Sequence, residues 1–303
     1  MDVGVIGVGV MGKNHARVYS ELKQVDTLYV TDVNQIVAQE VALANGGVYC
    51  PTVDSLLADV DAVSICVPTE YHYEVAVKAF QDNINTLIEK PVCDSVKKAE
   101  DLIRQCPKNL IVGVGQIERF NPIVNEIRKM INHQPVYVET KRHNPASSRA
   151  KSSIVQDLMI HDIDVVFNML NHEKYTIYSS GTNDVCGALT NLNNTTVYMS
   201  ASRKSAKKIR TIYIEMDDCT IEGDYMTQGI TIYSKPERYK IENNRYSQET
   251  IIENVLVQKQ EPLKQELSTF LDCVKSRKPF PVTLEQATSN LKIAEQIEDG
   301  LHI

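Results

Sequence analysis

Residues 2–19 read DVGVIGVGVMGKNHARVY. The opening DVGVIG is a short apolar, β-branched run, and the stretch that follows spaces Ala16, Tyr19 and Leu22 at helical intervals with Lys13 and Arg17 between them. Where strand gives way to helix stand Gly7, Gly9 and Gly12, with Val10 and Met11 completing a G-x-G-x-x-G spacing. In such a unit the glycines allow, in turn, the tight turn, the approach of backbone to a pyrophosphate, and close packing of helix on strand. As letters alone the pattern is weak and equally consistent with a Gly-rich turn. Asp32 strengthens it, because it ends the next apolar strand twenty residues beyond Gly12, where a carboxylate can accept hydrogen bonds from adenosine ribose hydroxyls. No Arg follows Asp32 to neutralise a 2′-phosphate, so the pattern favours NAD over NADP. The overlapping GVGVMGKN approaches a phosphate-loop motif but places Asn14 where a magnesium-binding hydroxyl belongs, and it leaves Asp32 without a role.

Working outward from this turn, the first 115 residues alternate short apolar runs with helix-period stretches. Strands are predicted over 2–7, 27–32, 61–67, 85–90 and 109–115, each apolar throughout, as in a parallel sheet covered on both faces. After Phe120 the pattern changes. NPIVNEIRKMI (121–131) and DLMIHDIDVVFNML (157–170) read as helices bracketing one strand, PVYVETKRH (135–143). Strands of period-2 alternation follow over 175–181, 187–202, 209–216, 219–225 and 229–235, interrupted by turn residues such as Asn193 and Asn194. Two helices, about 262–275 and 284–298, close the chain around a Pro279-Phe280-Pro281 break. The predicted fold is α/β: an N-terminal doubly wound parallel sheet of Rossmann type over 1–119, then a substrate-binding α+β domain over 120–303 with a largely antiparallel sheet. Such a sheet leaves one face to be covered, and self-association as a homodimer or homotetramer is the expected cover.

Composition narrows the function classes. The 303 residues, 43% of them hydrophobic and 23% charged, suffice for two cores. A net charge of -7 argues against broad nucleic-acid binding, which draws on Lys and Arg. The seven cysteines are odd in number, scattered and free of Cys-x-x-Cys spacing, and so read as reduced thiols of a cytoplasmic protein. No basic leader and no run of 18 apolar residues suggests secretion or a membrane span.

Ligands of open α/β sheets lie beyond the carboxyl ends of the strands, which nominates Pro68, Thr69 and His72, then Glu89, Lys90 and Pro91, then Gln116. Lys90, stopped by Pro91, is expected at the cleft mouth, the alternative being a solvated lysine paired with Glu89. His72 opens a helix, where it would touch a cofactor phosphate or cap the helix. In the helix over 157–170, Asp157, His161 and Asp164 fall at i, i+4 and i+7, opposite Met159, Ile163, Val166 and Leu170. Oxidising an alcohol requires a group that takes the hydroxyl proton, and histidine titrates in the right range. A core histidine satisfied by a carboxylate would give the same spacing, and no second His or Cys supports a metal, so none is expected. The basic run Arg203, Lys204, Lys207, Lys208 and Arg210 has no aromatic interleaving and reads as a solvated hairpin end.

Five segments together, GVGVMGKNHARVY, CVPTEYHYEVA (66–76), EKP (89–91), GQIERFNP (115–122) and DLMIHDID (157–164), resemble in order and spacing the glucose-fructose oxidoreductase, inositol dehydrogenase and rhizopine-catabolism (Gfo/Idh/MocA) family. The resemblance spans almost the whole chain. It implies a dinucleotide domain followed by an α+β domain whose sheet packs in dimers or tetramers, and it implies Lys90, Asp157 and His161 as the catalytic trio. Within the family the IERFNP segment, Arg142 with Arg149, and the DLMIHDID helix are most similar to the branch that oxidises C3 of UDP-N-acetylglucosamine or its uronic acid to a 3-keto sugar nucleotide. That branch would use Arg119, Arg142 and Arg149 on the substrate. Departures are Gln116, where histidine is expected, and the Ser-rich RHNPASSRAKSS stretch. Alternatives within reach of the same fold are an inositol or free-sugar dehydrogenase and a non-catalytic NAD-binding sensor, although a sensor would usually lose the trio.

Overall fold

The computed structural model describes residues 1–145, 153–170, 174–235, 240–242, 245–247 and 251–301. Two compact units emerge, Met1–Ile117 with Glu261–Lys292, and Glu118–Gln260 with Ile293–Ile303.

The first unit runs β1 (Val3–Ile6), α1 (Val10–Glu21), β2 (Leu28–Thr31), α2 (Gln35–Ala44), β3 (Val48–Tyr49), α3 (Val53–Leu57), β4 (Ala62–Ile65), α4 (His72–Gln81), β5 (Asn85–Glu89), α5 (Val96–Gln105) and β6 (Val112–Gly115). Its six strands are ordered β3-β2-β1-β4-β5-β6 and pair in parallel throughout. This is the doubly wound arrangement that the apolar runs predict, with its order reversing between β1 and β4. Every residue of β1 and β4 is buried, and the hydroxyls that go in with them are satisfied: Tyr19 Oη and Ser64 Oγ lie 2.7 Å apart. The two-residue β3 and the short α3 escape the sequence reading, being too brief to show a period.

The second unit contains α6 (Pro122–Met130), β7 (Tyr137–His143), a π-helical turn (Val155–Met159), α7 (Ile160–Met169), β8 (Tyr175–Gly181), β9 (Val185–Leu192), β10 (Thr195–Ser202), β11 (Ile209–Glu215), β12 (Cys219–Asp224), β13 (Gly229–Ser234), β14 (Lys240–Glu242), β15 (Arg245–Ser247) and β16 (Ile251–Val255). Eight strands form one sheet, β16-β13-β12-β11-β7-β10-β9-β8, antiparallel except where β7 meets β10. Asn193 adopts φ 56° between β9 and β10, as predicted for a tight hairpin turn, and β14 pairs with β15 separately. One sheet face buries Val138, Val197, Met199, Ile212 and Ile214 against α6, α7 and residues Ile293, Ala294 and Ile297. No described helix is long and apolar enough to cross a membrane.

The chain then closes with α8 (Pro262–Ser276) and α9 (Leu284–Asp299). The sequence assigns all of 120–303 to the second domain, whereas residues 261–292 pack with the first unit. The reason is visible in side-chain and backbone contacts: Gln24 donates to Asp272 at 2.8 Å, Lys264 pairs with Glu21 at 3.0 Å, and Val114 N donates to Val282 O at 3.1 Å. Phe280, edge-on to Phe270, fills the space that a side chain on Gly113 would need, since a Cβ there would stand 2.2 Å from the Phe280 ring. Gly113→Ala should therefore destabilise the protein by about 1–3 kcal/mol through overpacking, read as a lowered midpoint in denaturant unfolding.

Candidate active site

At the switch point between β1 and β4, Gly7 takes φ +86° and Gly12 comes so close that a Cβ on it would lie 1.9 Å from the Gly7 carbonyl oxygen. Gly9 differs from both, because a Cβ there would meet nothing within 4 Å. Gly9 is also the N-cap of α1 and supplies no side-chain cap, so the first N–H groups of the helix face that open space. Val10 is 62% exposed beside it. Asp32 lies across the turn, its Oδ2 accepting from Val8 N at 2.7 Å and its Oδ1 from Asn34 N at 2.8 Å. Each oxygen retains a lone pair for a ribose hydroxyl. An unblocked helix start, a backbone-ordered carboxylate and an exposed apolar side chain fit a dinucleotide.

The remaining strand ends divide. Pro68 is exposed and Thr69 half-buried, starting a short 3-10 turn after β4. Gln116 is buried, and its Oε1 has no hydrogen-bond partner among the described residues, an acceptor that a carboxamide donor would satisfy. His72 corrects the sequence: it is 1% exposed, and its ring nitrogens stand 2.9 Å from the carbonyl oxygens of Pro91 and Val67. It staples two strand ends together rather than offering a donor to phosphate, and burial lowers its pKa.

Glu89 is buried, with Oε1 2.9 Å from His15 Nε2 and Oε2 accepting from the backbone N of Lys90 at 3.1 Å. Burial alone would raise its carboxyl pKa, but His15 and Lys90 outweigh burial and hold it below the ordinary value of 4.5. The α1 helix is thereby tied to the residue that precedes Lys90, which is itself half-buried ahead of a cis bond to Pro91.

In the second unit, Asp157 lies in the π-helical turn and His161 in the first turn of α7, both half-buried. The simple α-helical spacing predicted for them is therefore interrupted by a wider turn, a feature often found at functional sites. Asp157 Oδ2 accepts from Arg203 Nη2 at 3.0 Å, and Arg203 also donates to Ser153 O. Arg203 is 6% exposed, which corrects the solvated reading of the basic run; Lys204, Lys207 and Lys208 are the exposed members.

Two expected substrate ligands are spent elsewhere. Arg142 is 1% exposed, donating to Asp162 from Nε and Nη2 at 3.0 and 2.9 Å and to Glu118 from Nη1 at 2.7 Å. Burial would lower its pKa, but Asp162 and Glu118 more than reverse that. Arg119 holds Asp164 with two bonds of 2.7 and 2.8 Å. Both arginines thus serve as internal counter-ions, which their positions in sequence could not reveal. Arg149 falls outside the described residues.

For Glu89, whose folded pKa is depressed, the stabilisation is present above the ordinary carboxyl value and lost as pH falls below it. Glu89→Gln should accordingly melt lower than the parent protein at neutral pH, with the difference closing as pH falls below the ordinary carboxyl value. A gap unchanged by pH in thermal unfolding would contradict the charged pairing.

Comparison with known proteins agrees with this geometry. Residues 1–116 match the family model described as an oxidoreductase family with an NAD-binding Rossmann fold, Gfo/Idh/MocA. The chain is 34% identical over 244 residues to UDP-N-acetylglucosamine 3-dehydrogenase of Acidithiobacillus ferrooxidans, covering 78% of this chain and 77% of that protein. It is 28% identical to inositol 2-dehydrogenase of Mycolicibacterium smegmatis, over 59% of this chain and 55% of the other. A solved structure of the Acidithiobacillus ferrooxidans enzyme superposes with a TM-score of 0.90 at 29% identity, covering 99% of this chain and 97% of that one. A levoglucosan dehydrogenase in complex with NADH and levoglucosan shares the fold alone, at 15% identity and a TM-score of 0.83 over 99% of this chain and 96% of that one. With its glycine turn, its Asp32 and its paired sheets, the chain belongs to the Gfo/Idh/MocA family of NAD-binding oxidoreductases.

Proposed function

We propose that this protein oxidises a secondary hydroxyl of a sugar nucleotide, C3 of UDP-N-acetylglucosamine or of its uronic acid, to the ketone. The 34% identity to a UDP-N-acetylglucosamine 3-dehydrogenase supports that substrate, and Lys90, Asp157 and His161 supply the groups the reaction needs. The observation that carries the chemistry is His161 in the first turn of α7, one turn past an Asp157 that Arg203 holds in place.

The Gly7–Gly12 turn and Asp32 would hold NAD, which would supply the hydride acceptor for the carbon. As the C–H bond breaks and C=O forms, the hydroxyl proton must leave, and His161 takes it while Asp157 favours the imidazolium that results. Lys90 donates a hydrogen bond to the same oxygen and stabilises its alkoxide character. The buried His15–Glu89 contact fixes the strand end from which Lys90 projects.

We also propose that the outer face of the eight-stranded sheet is a self-association surface giving a dimer or tetramer. Register places Tyr178, Leu189 and Tyr198 side by side on β8, β9 and β10, with Tyr178 71% and Leu189 46% exposed. A contiguous apolar strip on a sheet face favours burial against a second copy. Leu189→Asp should shift the mass measured by light scattering towards monomer; an unchanged mass would refute this surface.

The activity is tested by NADH formation at 340 nm with UDP-N-acetylglucosamine, set against its uronic acid, UDP-glucose and myo-inositol. His161→Ala should lower turnover by about 10²-fold or more with NAD affinity nearly unchanged. Full turnover in that variant would refute the assignment of His161, and turnover of myo-inositol alone would refute the nucleotide sugar.

A further inference from the structure

Beside the saturated Arg142, a second arginine of the same sheet face keeps unspent donors. Arg210 on β11 stands opposite Arg142 on β7 in register. Arg142 takes both oxygens of Asp162 and Oε1 of Glu118, which leaves Arg210, among the described residues, a single long contact of 3.8 Å to that same Glu118 oxygen. The Nε of Arg210 is buried and has no hydrogen-bond partner among the described residues, while 34% of its side chain remains exposed. Burial first, then the repulsion of Arg142, lowers its pKa. A guanidinium in that position gains more from an incoming anion than one already paired.

A second unsatisfied donor belongs to the residue whose backbone bonds that of Arg210. Tyr225 is 4% exposed, its ring lies 5.4 Å beneath the Arg142 guanidinium, and its backbone N donates to Arg210 O at 3.0 Å. Its hydroxyl also lacks a partner among the described residues. A buried phenol without a partner is costly, and an anion that accepts from it removes the penalty.

Topology relates this pair to the residues assigned to proton transfer. Strands β10, β7 and β11 are adjacent, with Ser202, His143 and Ile209 level with one another. Arg203, which follows Ser202, is the residue that holds Asp157. The backbones carrying Arg203 and Arg210 are therefore two strand spacings apart and offset by two residues along the strands, about 12 Å. That span matches a sugar with a phosphate attached.

We propose that Arg210, with the Tyr225 hydroxyl, binds a phosphate of the substrate, so that the enzyme selects a phosphorylated sugar or sugar nucleotide over a neutral polyol. This rests on the assignment of Asp157 and His161 to the reacting hydroxyl. The guanidinium supplies paired N–H donors to phosphate oxygens, a geometry that lysine reproduces only in charge.

The test uses the full chain loaded with NAD. Steady-state kinetics with UDP-N-acetylglucosamine and calorimetric titration with UDP are measured for the parent, Arg210→Gln and Arg210→Lys, with Lys204→Gln as a nearby exposed control. Losing a charge-assisted contact should raise KM and the UDP dissociation constant of Arg210→Gln by about 10- to 100-fold with kcat little changed. Arg210→Lys should regain part of the loss, and Lys204→Gln should match the parent. If Arg210→Gln does not fold, Arg210→Lys alone decides: an intermediate rise in KM supports the phosphate site and parental values overturn it. Turnover of UDP-N-acetylglucosamine that is indifferent to Arg210 overturns the site and leaves the proposed reaction standing. Arg210-dependent binding of UDP without turnover supports the site and refutes the reaction.

Discussion

One backbone contact sets the geometry of the first unit: α1 begins so close to β1 that no side chain fits on Gly12 against the Gly7 carbonyl. Because the helix starts there, its free N–H groups open at the switch point of the sheet, and Val8 N comes within 2.7 Å of the Asp32 carboxylate. The same placement brings His15, three residues further along α1, onto Glu89 at the end of β5. Lys90 is the next residue. Cofactor cradle and Lys90 backbone are thus positioned by one helix, whose starting point is fixed by the absence of a Cβ.

In the second unit buried charge has the corresponding role. A carboxylate taken out of water is expensive unless its oxygens are matched by cationic donors. Asp162 and Asp164 on α7 are each held by two bonds from one arginine, Arg142 and Arg119 respectively. Holding both carboxylates fixes the rotation of α7 about its axis and thereby the direction in which His161 is presented. The π-helical turn ahead of it then places Asp157 where Arg203 can reach. These ion pairs are better understood as specifying orientation than as adding net stability.

What the sequence discloses follows from how local each signal is. The glycine turn, Asp32 and the apolar strands of the parallel sheet depend on neighbours in the chain, and they are legible. So is the switch to alternating strands after residue 175. The arginines mislead because a buried counter-ion and a substrate ligand look alike until burial is known: Arg142 and Arg210 face one another across two strands, yet one is saturated and the other is not. His72 misleads for a similar reason, its two carbonyl neighbours being five and nineteen residues away. The return of residues 261–292 to the first unit is hidden as well, since an amphipathic period shows that a helix has an apolar face but not what it packs against.

The proposed reaction has carbon 3 of the sugar giving its hydrogen directly to the cofactor, which the glycine turn would hold. The most direct measurement supplies UDP-N-acetylglucosamine deuterated at C3 with NAD and determines the mass of the reduced cofactor formed. Deuterium recovered in the reduced cofactor, together with a slower single-turnover rate than with unlabelled sugar, is the expected result. Reduced cofactor free of deuterium, or no reduction at all, would contradict the claim.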